Sequence, residues 1–68
     1  MKVNNFPKLN EKQTKAILKE MKNNPSLLWD GEYGFYSNGN VVIDVCWNFD
    51  FCQTIYKIQF DINGKIVN

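Results

Sequence analysis

The side chains able to do chemistry here are few in kind: seven carboxylates, eight lysines and two cysteines, with no histidine and no arginine. Without histidine, no side chain has an ordinary pKa close to neutrality for general acid–base work. Ser26 and Ser37 have no base in their local sequence that would make either one a nucleophile. Cys46 and Cys52 fall short of the three or four Cys/His ligands that a zinc site takes. Asp30 and Glu32 stand two residues apart, but no pocket-forming pattern surrounds them. Gly31, Gly34 and Gly39 fall at strand and turn positions, not ahead of a helix, so no phosphate-cradling loop is expected. The expectation is a chain with no catalytic residues, no metal and no cofactor, whose function is binding.

Three groups of residues are candidates for that binding. The first is the segment Trp47-Asn48-Phe49-Asp50-Phe51, where two aromatic rings flank a carboxylate at a hairpin tip. With Trp47 turned inward, at least one of Phe49 and Phe51 must face water, and exposed aromatics are common interface anchors. Asp50 between them would orient a cationic partner. The second is an apolar strip of Tyr36, Val42, Cys46 and Ile55, with Phe51 beside it, on the solvent face of a sheet. A patch of that kind marks an interaction site, and with two open sheet edges it also suits a homodimer. The third is a lysine stripe. Lys8, Lys12, Lys15, Lys19 and Lys22 are spaced four, three, four and three apart, which lines one face of a helix. Such a row can contact phosphates. However, the bidentate reader arginine is absent, so a solvated helix back is the preferred reading and nucleic acid the alternative.

Charge is segregated along the chain. Residues 1–22 hold six lysines against two glutamates, a balance of +4, and the remainder holds two lysines against five acids, a balance of −3. The whole carries a net charge of +1, which by itself asks for no polyanionic partner. Abundant Asn, Lys and Ile with no Arg match AT-rich coding, as in a low-GC bacterium or its phage and mobile elements. A small non-enzymatic inhibitor of a host or defence protein would fit that origin. A third function, capture of a nucleotide-like ligand at an oligomer interface, would use Trp29, Tyr33 and Tyr36 for stacking. No stretch resembles a signal peptide or a membrane span. Two cysteines also fall short of the framework of a small secreted domain, so the expected setting is cytoplasmic.

The elements that must position these groups are legible from turns and alternation. The 68 residues form a single domain, residues 1–68. After a polar lead-in over residues 1–8, Asn10 with Gln13 forms a capping-box pattern that starts a helix running to about Asn23. The helix is expected to turn Ile17 and Met21 inward, with Leu18, Ala16 and Thr14 flanking. Asn38-Gly39 and Asn63-Gly64 then punctuate apolar, β-branched runs, as hairpin turns do. Keeping apolar residues on one face selects the three-residue loops Ser37-Asn38-Gly39 and Ile62-Asn63-Gly64. These pair Phe35 with Val41, Tyr33 with Ile43, Phe60 with Ile66 and Asp61 with Lys65.

In the central hairpin, pairing Trp47 with Cys52 aligns Val45 with Thr54, Ile43 with Tyr56 and Val41 with Ile58. The core face then reads Tyr33, Phe35, Val41, Ile43, Val45, Trp47, Cys52, Tyr56, Ile58, Phe60 and Ile66. Cys46 and Cys52 fall on opposite faces in this register, which disfavours a disulfide. The predicted fold is α+β, an N-terminal helix packed on one face of a four-stranded antiparallel meander.

Overall fold

The computed structural model describes residues 9–67. A helix α1 (Glu11–Asn23) is followed by strands β1 (Leu27–Phe35), β2 (Val41–Trp47), β3 (Ile55–Phe60) and β4 (Ile66–Val67), with one 3₁₀ turn at Asn48–Asp50. The strands form one antiparallel sheet in the order β1-β2-β3-β4. The α+β arrangement and the order α-β-β-β-β are those expected.

Helix α1 starts where its capping box places it. The Asn10 side chain accepts from the Gln13 backbone N–H at 2.7 Å, and the Gln13 side chain accepts from the Asn10 N–H at 3.3 Å. Gln13 has a second role that its sequence position does not advertise. It is 1% exposed, and its Nε2 donates to Gly39 O at 3.0 Å and to Asp61 O at 3.2 Å. One buried amide thus ties the helix to both hairpin turns, and Asn10 Nδ2 adds a bond to Ile62 O at 2.8 Å. The helix approaches so closely that a Cβ on Gly64, which has φ +84°, would sit 2.6 Å from Lys12 O. Ile17 is the fully buried apolar residue of the helix, with Ala16 and Met21 partly buried beside it. Leu18, expected at the flank of the inward face, is 57% exposed. Seating Gln13 and Ile17 on the sheet rotates Leu18, one residue further on, toward solvent.

Both outer hairpins have the expected register. Phe35 lies opposite Val41 and Tyr33 opposite Ile43, and Gly39 takes φ +92° to close the loop. Phe60 lies opposite Ile66, and the Asp61 N–H donates to Lys65 O at 2.8 Å. Asp61 Oδ1 accepts from the Asn63 and Lys65 N–H groups, which fixes the turn. The central hairpin differs by two residues. Ile43 faces Ile58, Val45 faces Tyr56 and Val41 faces Phe60. Because side chains alternate with period two, this shift preserves the face of every β3 residue. It also leaves residues 48–54 as a long loop and takes Cys52 out of the sheet.

The core consists of Ile17, Leu27, Val41, Ile43, Val45 and Phe60. Trp29, Phe35, Trp47 and Ile58 pack against it and are only partly buried. Tyr33, Tyr56 and Ile66, expected on the core face, are each about two-fifths exposed. A helix of 13 residues is about 10 Å across and cannot roof four strands, so the margins of the inner face stay open.

Candidate functional site

The loop after β2 departs most from regular structure. Its 3₁₀ turn ends at Phe51, which has φ 58° and ψ 31°, and Cys52 also has φ 58°. Two successive non-glycine residues in the left-handed region are uncommon. They reverse the chain and turn Cys52 toward Cys46, to which it is joined by a disulfide with the Cα atoms 4.8 Å apart. The expectation of opposed cysteines is thereby corrected. It treated Cys52 as the first residue of an alternating strand, whereas Cys52 belongs to the loop. The cytoplasmic expectation drew on two cysteines falling short of a secreted domain's framework, and this cross-link lends it no support, since disulfides persist in oxidising compartments. Among the described residues, no helix is long and apolar enough to cross a membrane.

This cross-linked loop presents its aromatics outward. Phe49 is 70% exposed and Phe51 85% exposed. Phe49 stacks on Trp47 with ring centroids 5.3 Å apart and an interplanar angle of 24°. Phe51, next to the cross-link, has no such aromatic neighbour among the described residues. Asp50 is half-buried, and its Oδ1 is enclosed without a hydrogen-bond donor among the described residues. Of the three residues expected at the tip, Asp50 is thus the least exposed.

The outer sheet face is not one continuous apolar strip. Leu28, Cys46 and Ile55 lie on one rung across three strands, and Leu28 and Ile55 are 44% and 57% exposed. Val42 sits two rungs away, opposite Gly34 and Gln59, with Tyr36 beyond it. Between them lies the Asp44–Lys57 ion pair at 2.8 Å. The Asp44 carboxylate accepts a hydrogen bond from the Lys57 ammonium and raises its pKa above the ordinary 10.5. The charged rung thus divides the strip. Tyr36 and Val42 fall on the turn side, and Cys46, Ile55 and Phe51 on the loop side.

Leu28 stands in Leu27-Leu28-Trp29, an unbroken apolar run whose sequence gives no sign of which residue faces water. Alternation buries Leu27 and exposes Leu28. Beyond Trp29 the register shifts, since Tyr33 pairs with Ile43 while Trp29 pairs with Val45. This bulge is organised around Gly31 at φ +91°, the Trp29 Nε1–H donating to Glu32 O at 2.7 Å, and the Glu32 N–H donating to Asp30 Oδ1 at 3.0 Å.

The other candidate groups are also placed. Lys12, Lys15, Lys19 and Lys22 are all exposed along α1, and Lys8 lies outside the described residues. Trp29 and Tyr33 stand opposite the core residues Val45 and Ile43, whereas Tyr36 follows the alternation of the outer face. The three rings proposed for nucleotide stacking therefore do not converge within one chain. Among the described residues, no group of three or more His, Cys, Asp or Glu side chains is placed to hold a metal ion. Set against models of protein families, curated proteins and solved structures, the chain finds no match in any of the three.

Proposed function

We propose that this chain is a non-enzymatic protein-binding module whose partner docks on the loop end of the sheet. The contact surface is Phe49, Phe51, Leu28, Ile55 and the Cys46–Cys52 disulfide. The single observation that carries this reading is Phe51. It is 85% exposed, adopts a left-handed backbone and is fastened by the neighbouring cross-link. A ring held in water on a strained backbone contributes nothing to folding, and such strain concentrates at binding sites. Sheltering that ring in a partner's pocket would release roughly 3 kcal/mol at 25 cal/mol per Å² of apolar area. In the setting that composition suggests, binding of this kind would serve a phage or mobile-element inhibitor that occludes a host or defence protein.

The test is quantitative capture with the wild type and with F49S/F51S. A partner whose affinity falls about tenfold or more in the double variant, while the melting point drops only modestly, supports the reading. Equal capture by both proteins overturns it and moves the site to Tyr36 and Val42.

A further inference from the structure

On the helix side of the sheet, the incomplete cover leaves a groove of about 350 Å³ lined by Glu20, Asn24, Leu27, Val45, Trp47, Tyr56 and Ile58. Trp47 and Tyr56 meet at 72° with ring centroids 6.4 Å apart, so two aromatic walls form a corner. Phe49 stacked on Trp47 braces one wall and connects the groove to the loop end of the sheet. The remaining side is polar and negative. Glu20 is half-buried, and its Oε2 accepts a hydrogen bond from Asn24 Nδ2 at 3.0 Å, which orients the carboxylate. The C-terminal end of α1, capped by Asn24, lies at the same margin and brings the negative end of the helix dipole. Lys19 and Lys22 are exposed, and the one ion pair among the described residues is Asp44–Lys57, so no lysine among the described residues is paired with Glu20.

An apolar occupant would strip water from the Glu20 carboxylate with nothing in return. A cation would be attracted by the carboxylate, by the helix end and by the faces of Trp47 and Tyr56 together. We propose that this corner receives the ammonium head of a lysine side chain from a partner protein. Lysine fits better than a free small amine because the rest of the groove is Leu27, Val45 and Ile58, along which a four-carbon stem can lie. The identity of the bearer rests on the protein-binding reading above, whereas the site itself can be tested without any partner.

The experiment is an NMR titration of the isolated protein with N-acetyl-lysine amide, its neutral counterpart N-acetyl-norleucine amide, and tetramethylammonium. Saturable shifts at the Trp47 Nε1–H and the Tyr56 ring are expected with the lysine probe, with affinity roughly fivefold or more above the norleucine probe. E20Q and Y56L should each abolish that preference, and Y56F should retain it. Both positions are at least partly exposed, so these variants should fold, and their unchanged amide spectra elsewhere would confirm it. Equal binding of norleucine, no saturable shift, or an unchanged preference in E20Q overturns the proposal. Tighter binding of tetramethylammonium than of the lysine probe overturns the choice of lysine. None of these outcomes depends on F49S/F51S, so failure here and failure of the protein-binding reading are distinguishable.

Discussion

Reducing the Cys46–Cys52 bond should loosen the loop end and leave the turn end intact. The two cysteines are 6 residues apart. For a loop of that length, the chain-entropy model gives a stabilisation of about 2.2 kcal/mol at 25 °C. Reduction should therefore cost about 2 kcal/mol, or a fall in melting temperature of roughly 8–16 °C for a domain of this size. Circular dichroism melts with and without a phosphine reductant would measure it, and C46S/C52S should behave as the reduced protein does. Mass spectrometry of the oxidised protein should show a deficit of two hydrogens. Free thiols in air-purified material, or melts that superimpose with and without reductant, would refute the reasoning.

Gln13→Ala should cost about 2–4 kcal/mol, read by chemical denaturation, because it strands the carbonyls of Gly39 and Asp61 and opens a void beneath α1. Gly64→Ala should destabilise by more than about 1 kcal/mol, since its Cβ would press on Lys12 O from a left-handed backbone. Replacing Lys12, Lys15 and Lys19 together by Gln should leave partner capture unchanged. Loss of binding in that variant, with salt-sensitive affinity in the parent, would promote the nucleic-acid alternative.

The parts of the fold that could be read in advance are those decided within a few residues. Asn10 and Gln13 announce the helix start through mutual hydrogen bonds. Gly39 and Gly64 announce their turns because each needs a positive φ. The parts that escaped depend on distant contacts or on unusual backbone. No local pattern reports that the Gln13 amide reaches two turns far along the chain. Phe51 and Cys52 carry no glycine to signal a left-handed backbone, so an apparently alternating strand was extended through them. That one misreading displaced the central register by two residues and separated two cysteines that are bonded. Among the candidate site residues, the exposure of Phe49 and Phe51 was legible from their place at a hairpin tip beside an inward Trp47. Leu28 and the Glu20–Trp47–Tyr56 corner required the register and the position of the helix.

The Gln13 clasp has a practical consequence for how the molecule can be handled. Asn10, the Gly39 turn and the Asp61–Lys65 turn are fastened together at one pole, and β4 ends beside the same pole, with Val67 opposite Gln59. The Phe49–Phe51 loop and the aromatic groove occupy the opposite pole, about a strand's length away. A carrier or surface anchor coupled at Leu9 or Val67, where the described residues begin and end, would therefore attach beside the clasp. Oriented display of this kind leaves the loop pole facing outward, the arrangement in which an immobilised probe samples its target with least steric hindrance.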